Sequence, residues 1–425
     1  MSIKKTGNNK LEHLGGQGMK KLKIADGIHM LTMNVEDILF EGIWEIANGV
    51  TLNSYIVQGE KTAIIDGVIG WDGVPETLYD SLEEMGVDPQ SIDYLIVNHM
   101  EPDHSGWISN FRKVKNDFTI ICTDKAAKMV SSFYGEDRIR VVKEGDTLDL
   151  GKGRVLSFHP VPNVHWPDTM YTYENATGTL FSCDMFGAFG RMGDHCFDDE
   201  LTPEEKEFFE TEGIRYYSNV MATFTPSLRK AIEKAKSLDI KTIAPGHGPV
   251  YRKNPQKIID DYSRYSLYAD GSGKNEVTIL WGSMYGMTAK AVEFVEGVLQ
   301  REGVRYSKMH MPLESESEMA ATVFRSAGII IAAPTYEYKL FPPVAAALNE
   351  LGRKKITGKA AFRFGSYGWS GGAEKELHEI IERNGMKWDF AASVEFEGAP
   401  KEDDLKKIEA GVLELLEKMK GKILE

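Results

Sequence analysis

Four side chains able to ligate a metal ion fall within six positions of one another, in the run Asn98-His99-Met100-Glu101-Pro102-Asp103-His104-Ser105-Gly106. They follow directly on the apolar stretch Tyr94–Val97, which reads as a buried strand. A strand fixes the direction in which the next loop projects its side chains, so whatever this chain folds into must bring His99, Glu101, Asp103 and His104 to one place. Imidazole and carboxylate together suit first-row metals. The bland alternative is a polar helix start, with Asp103 as its cap and the histidines on the surface. Two histidines and two carboxylates at this density are unusual for that.

Three later residues occupy similar positions. His165 lies in Asn163-Val164-His165-Trp166-Pro167-Asp168, just past a strand. Asp184 ends the apolar strand Leu180–Cys183. His247 sits in Pro245-Gly246-His247-Gly248-Pro249, again at a strand end. Alone, each would read as structural; together, strand-end residues can converge on one edge of a sandwich. His159 and His195 are the nearest competing imidazoles, and His159 is the rival to His165.

The Gly-rich run Ala269-Asp270-Gly271-Ser272-Gly273-Lys274 separates two patterns and marks a domain boundary. Before it, residues 19–269 alternate hairpin strands and helices, as in a mixed α/β sandwich. Strands are expected at Leu52–Val57, Thr62–Asp66, Ile120–Cys122, Val155–Phe158, Tyr171–Tyr173, Thr179–Cys183 and Thr242–Ala244, with a helix over Pro75–Met85. Thr202 caps a helix that has Pro203 at its first position. After the run, residues 275–425 hold the apolar strands Val277–Trp281, Gly328–Ala333 and Ala360–Gly365. Weaker ones are Tyr306–Met309 and Ala391–Val394. Helices are expected at Thr288–Arg301, Ser315–Arg325, Pro343–Leu351, Ala373–Asn384 and Asp403–Lys420. Five alternating units imply a doubly wound parallel sheet with the flavodoxin-like strand order. Residues 1–18 are polar and Gly-rich and read as an arm or leader without a signal-type apolar core.

This second half opens with strand, loop and helix start: Thr278-Ile279-Leu280-Trp281-Gly282-Ser283-Met284-Tyr285-Gly286-Met287-Thr288. A loop of this kind offers backbone N–H groups and hydroxyls to a phosphate at a helix N-terminus. The Walker A lysine and the G-x-G-x-x-G spacing are absent, which argues against nucleoside triphosphates and dinucleotides. A mononucleotide phosphate held without a charged side chain suits FMN. Two more strand-end loops add to it: Pro334-Thr335-Tyr336-Glu337-Tyr338 and Ser366-Tyr367-Gly368-Trp369-Ser370-Gly371. Tyr336 and Trp369 could pack on the flavin ring; the alternative is ordinary core or surface packing.

The order H-x-[EH]-x-D-H followed by His, Asp and His resembles the metallo-β-lactamase superfamily, whose hydrolases mostly carry His at the second position. Glu101 with the later H-W-P-D resembles the flavodiiron proteins. The three loops resemble flavodoxin FMN loops, and P-T-Y followed by F-P-P and Y-G-W-S-G-G-A resemble those of the flavodiiron proteins in particular. The resemblance runs from Met19 onward. It implies a metallo-β-lactamase-like αββα sandwich followed by a flavodoxin-like domain, with FMN and two iron ions. It implies that His99, Glu101 and His165 hold one iron, Asp103, His104 and His247 the other, and that Asp184 bridges. It further implies reduction of dioxygen to water, or nitric oxide to nitrous oxide, with an external electron donor such as rubredoxin or reduced deazaflavin. A head-to-tail homodimer, or a dimer of dimers, would bring one subunit's flavin to the other's metals. Tyr216 or Tyr217 is a candidate hydrogen-bond or proton donor, and Trp44 a candidate pocket wall; plain packing explains them equally.

The net charge of −14 argues against nucleic acid and anionic membrane as partners. Three cysteines without a C-x-x-C pair disfavour an iron–sulfur cluster, a zinc knuckle or a disulfide framework, and suit a reducing cytoplasm. Two other readings compete: a dizinc hydrolase fused to a flavodoxin-like module, and an electron carrier whose first domain is a docking scaffold. Glu101 opposes the first, because a third carboxylate supplies hard anionic oxygen that favours iron over zinc.

Overall fold

The computed structural model describes residues 19–67 and 77–424; the N-terminal arm expected at 1–18 and the start of the helix expected from Pro75 lie outside them. The first sheet contains β1 (Lys20–Ala25), β2 (Ile28–Val35), β5 (Val50–Gln58), β6 (Thr62–Ile65), β7 (Ile92–Ile96), β8 (Thr119–Cys122) and β9 (Ile139–Val141), side by side in that order. A small hairpin, β3 (Leu39–Phe40) and β4 (Trp44–Glu45), rises between β2 and β5. The second sheet runs β10 (Thr147–Asp149), β11 (Val155–Pro160), β12 (Met170–Glu174), β13 (Thr179–Cys183) and β14 (Thr242–Pro245).

The inner strands β5, β6, β8, β13 and β14 are buried on both faces, which explains their largely apolar sequences, whereas the edge strands β1, β9 and β10 are partly exposed. Tyr55, Val57, Ile65 and Ile121 of the first sheet meet Leu156, Phe158, Phe181 and Ala244 of the second in one core. Leu52, Ile56, Ile64 and Ile120 face the other way, into a core shared with helices. The arrangement is an αββα sandwich. The helix Pro203–Tyr216 begins as its sequence dictates. Thr202 Oγ1 accepts the Glu205 N–H at 3.2 Å, and Glu205 Oε2 accepts the Thr202 N–H at 2.8 Å.

The Gly-rich run falls between the helix Pro255–Tyr268 and the first strand of a third sheet, β15 (Lys274–Trp281). That sheet continues with β16 (Arg305–His310) and β17 (Ser326–Ala332), then, past a short hairpin of β18 (Thr335–Tyr336) and β19 (Lys339–Leu340), β20 (Ala360–Tyr367), β21 (Asp389–Phe390) and β22 (Val394–Glu397). Its order is β16-β15-β17-β20-β21, all parallel, with β22 also on β20. This is the expected flavodoxin-like winding.

Two expectations need correction. The single strand expected at Ala391–Val394 is two short strands, because the chain steps off β20 after Phe390 and returns at Val394. The run Ala360–Gly365 is buried but not apolar throughout, since Arg363 lies in its middle with no exposed surface. No helix among the described residues is long and apolar enough to cross a membrane.

Candidate metal centre and flavin loops

The seven residues singled out as ligands meet at one edge of the sandwich. β7 delivers the 98–104 segment, the β11–β12 connection delivers His165, β13 leads directly into Asp184, and β14 leads into His247. The sheets are tied together there by Met170 N–H donating to Asn98 O, at 2.9 Å, and Asn53 N–H donating to Gly246 O, also at 2.9 Å. All seven are buried except Glu101, which is partly so.

The set divides in two. Glu101 Oε2 is 3.3 Å from His99 Nε2 and 2.9 Å from His165 Nε2. Asp184 Oδ2 completes this group, 3.4 Å from both imidazoles. On the other side, Asp103 Oδ2 is 3.5 Å from His104 Nε2 and from His247 Nε2. Asp184 Oδ1 lies 2.9 Å from His104 Nε2 and 3.2 Å from His247 Nε2. The donor atoms of His99, Glu101, His165 and Asp184 lie within 4.8 Å of one another, as do those of Asp103, His104 and His247, a separation one ion can span. Asp184 thus offers one oxygen to each group.

The electrostatics call for cations. Burial opposes charge on His99, yet hydrogen bonding to Asp168 and Glu101 outweighs it and holds the imidazole up at about 10. His104 and His165 are also raised to about 10 against burial, by Asp103 and Asp184 in one case and by Asp184 and Glu101 in the other. Burial pushes Glu101 up, but His165 and His99 bring it down to about 2. Protons on the imidazoles here stand in for positive charge that buried carboxylates require. Both Asp103 carboxylate oxygens, Asp184 Oδ2 and His247 Nε2 are buried without a hydrogen-bond partner. Such atoms are costly unless something binds them.

The three loops expected to hold the flavin lie at the carboxyl ends of β15, β17 and β20, three neighbouring strands. In the first, Ser283 Oγ accepts the Gly286 N–H at 3.1 Å, and Gly286 takes the left-handed conformation (φ 87°) that turns the chain into the helix Met287–Arg301. Met284 and Tyr285 project outward, and Thr288 Oγ1 is 2.9 Å from Ser366 Oγ, joining the first loop to the third. In the second, Pro334 precedes the β18–β19 hairpin, with Thr335 and Tyr336 on one strand and Glu337 and Tyr338 at its turn. Thr335 Oγ1 is buried and has no partner. In the third, Tyr367 ends β20 and Gly368, Trp369, Ser370 and Gly371 lead to the helix Ala373–Arg383. Tyr285 is 86% exposed, Trp369 77% and Tyr338 63%, an unusual set of bare aromatic rings around one strand edge.

The family model for the ODP family beta lactamase matches residues 50–248, the span that carries all seven candidate ligands. The anaerobic nitric oxide reductase flavorubredoxin of Vibrio vulnificus is 33% identical over 350 residues, covering 81% of this chain and 69% of the relative. The chain belongs to the flavodiiron proteins. Two solved structures agree. The rubredoxin oxygen:oxidoreductase of Desulfovibrio gigas superposes with a TM-score of 0.87 at 26% identity, over 96% of this chain and 100% of that one. The flavodiiron protein from Giardia intestinalis gives 0.83 at 26% identity, over 96% and 98%.

In this flavodiiron chain, sequence reasoning missed the groups behind the candidate ligands. Asp168 Oδ2 is 3.4 Å from His99 Nδ1 and accepts the Met100 N–H at 2.8 Å. His247 Nδ1 donates to Thr51 O at 2.7 Å, leaving Nε2 free to ligate. Asp66, His104 and Cys183 form a third buried group behind the second set. Asp168 was visible in H-W-P-D, and Asp66 ends a strand; Thr51 acts through its backbone and left no signal. The rival imidazoles lie elsewhere: His159 Nδ1 is 2.7 Å from Glu144, and His195 Nδ1 is 2.8 Å from Glu205.

Of the two tyrosines, Tyr216 faces the centre, its ring 5.7 Å from His247 and its buried hydroxyl without a partner. Tyr217 turns away, stacked on Phe324 at 5.5 Å with its hydroxyl 3.2 Å from Thr225 Oγ1. Trp44 is buried and donates to Glu41 at 2.8 Å; on the same hairpin it is Phe40 whose ring lies 5.8 Å from His247.

Proposed function

We propose that this chain passes electrons from an external donor through FMN to two iron ions, where dioxygen is reduced to water, nitric oxide to nitrous oxide, or both. The observation that carries this reading is Asp184, with one oxygen facing each of two imidazole–carboxylate groups. The residues fit two cations, because four donor atoms of the candidate set, both Asp103 oxygens, Asp184 Oδ2 and His247 Nε2, are buried without a hydrogen-bond partner. His99, Glu101, His165 and Asp184 would hold one iron, and Asp103, His104, His247 and Asp184 the other. Three carboxylates among seven ligands favour iron over zinc. Two ferrous ions supply two electrons when bound, and a reduced FMN supplies two more.

The chain's own groups do the rest. Asp168 and the Thr51 carbonyl fix which nitrogen of His99 and His247 faces inward. Tyr216 offers a hydroxyl at the wall of the site, where a bound oxygen or nitrogen oxide needs a hydrogen bond. Phe40 and Phe189, 5.1 Å apart, keep that wall dry. Ser283 to Thr288 would take the FMN phosphate, and residues 334–338 and 366–371 the ring.

The Desulfovibrio gigas neighbour is named for rubredoxin, which supports rubredoxin as donor here; reduced deazaflavin is the second candidate. The exposed Tyr285, Tyr338 and Trp369 support a head-to-tail homodimer, or a dimer of dimers, that covers the flavin with another subunit's metal edge. Three free, buried cysteines support a cytoplasmic setting.

The test uses protein loaded with iron and FMN, reduced chemically without oxygen and then mixed with either gas. Four electrons should be consumed per dioxygen with no peroxide released, or one per nitric oxide. Stoichiometric hydrogen peroxide from dioxygen, together with inertness to nitric oxide, would mean that only a free flavin is reacting.

A further inference from the structure

Alternation along β20 sends Phe362 and Phe364 into the core under the helix Met287–Arg301 and Ala361 into the opposite one. Arg363 and Gly365 share the face of Ala361. Arg363 is wholly buried there. Its Nη1 lies 2.8 Å from Glu395 Oε1 and donates to Ser393 Oγ at 3.5 Å. Its Nε and Nη2 have no hydrogen-bond partner.

The guanidinium points along the strand toward the flavin loops. A Cβ built on Gly365 would stand 3.3 Å from Arg363 Nη2 and 1.8 Å from the Ala333 carbonyl oxygen. Ala333 leads into the second loop and Gly365 into the third, so the guanidinium lies under the junction of both. Glu395 reaches the far end of the third loop: a Cβ on Gly371 would be 2.5 Å from its Oε2. A buried guanidinium with two idle donor nitrogens is expensive, and an aliphatic side chain in its place would cost nothing of the kind.

We propose that Arg363 is a positioning residue of the flavin site, whose buried positive charge beneath residues 333–338 and 365–371 favours the reduced flavin over the oxidised one. The proposal rests on the FMN reading above. At neutral pH the oxidised ring takes up two electrons and one proton, supplied by the donor and by water, and so gains one negative charge. A guanidinium in a water-poor setting lowers the free energy of that product more than of the neutral reactant. Glu395 works against it. Removing either charge should therefore shift the balance in opposite directions.

The experiment is a spectroelectrochemical titration of FMN bound to the full chain and to Arg363→Met, Arg363→Lys and Glu395→Gln. In Arg363→Met, reduced FMN should bind about tenfold more weakly relative to oxidised FMN, a fall of about 30 mV in the two-electron midpoint. Arg363→Lys should keep most of the wild-type midpoint, and Glu395→Gln should raise it. An unmoved midpoint in Arg363→Met, or equal shifts in the Met and Lys variants, would overturn the proposal and leave Arg363 a packing residue. If Arg363→Met holds no FMN, Glu395→Gln decides: a higher midpoint supports the proposal, and an unmoved or lower one overturns it. A wild-type chain that takes up no FMN overturns the flavin reading and this inference together, whereas wild type that binds FMN with unmoved variants overturns this inference alone.

Discussion

Asp184→Ala should empty both metal positions and lower gas reduction by about a thousandfold, while the chain still binds FMN. The size follows from the ligand count. Groups behind a metal ligand already cost ten- to a hundredfold when removed, and Asp184 is a direct neighbour of both groups. Its oxygens are the only ones within 3.4 Å of imidazoles on both sides among the described residues. The loss also takes from His104, His165 and His247 one of the two carboxylates that face each of them, leaving only Asp103 or Glu101. Metal analysis after desalting, beside the flavin absorbance, reads the result. Retention of two ions with a few-fold loss of rate would show that Asp184 does not join the two groups. Asp168→Asn is the graded control: it keeps the direct ligands and disturbs only the orientation of His99, so ten- to a hundredfold is expected.

Gly365→Val should do the converse, weakening FMN binding by about a hundredfold while leaving the metals in place. A side chain at this position meets backbone, with the Ala333 carbonyl oxygen only 1.8 Å from a Cβ. Nothing flexible can yield there, so β17 and β20 must part at the base of two flavin loops. Overpacking of this kind costs about 3 kcal/mol, and about 1.4 kcal/mol corresponds to a factor of ten in affinity. Equilibrium titration with FMN, followed by metal analysis of the same sample, checks both halves. Unchanged flavin affinity would place the ring away from this junction. The two substitutions together ask whether the sites are separable, each lost without the other.

The candidate metal cluster was legible because strand ends concentrate it. His99, Glu101, Asp103 and His104 announce themselves by density, and Asp184 and His247 by their position after apolar runs. The H-W-P-D resemblance favoured His165 over His159, and the fold supplies a physical reason: His159 sits on β11, where pairing with β12 directs it to Glu144, while His165 lies in the following loop and turns toward Glu101. Tyr216 and Tyr217 were indistinguishable in sequence. A helix separates neighbours by about 100°, so only one of the two can face His247. Arg363 was hidden for the opposite reason. A β20 segment rich in Ala, Phe and Gly reads as apolar, and one charge inside it looks like noise until its burial and its idle nitrogens are seen. The partners behind the ligands, Thr51 above all, are contacts across many residues of sequence that no local pattern encodes.

Whether Asp184 joins a pair of iron ions is read by Mössbauer spectroscopy of the chain loaded with iron-57 and oxidised. Two ferric ions held by one bridging carboxylate should appear as two quadrupole doublets in equal amounts. They should remain unsplit in a small applied field, because coupled ferric ions share a diamagnetic ground state. A single magnetically split ferric site, or a chain that takes zinc and refuses iron, would rule out a diiron centre bridged by Asp184.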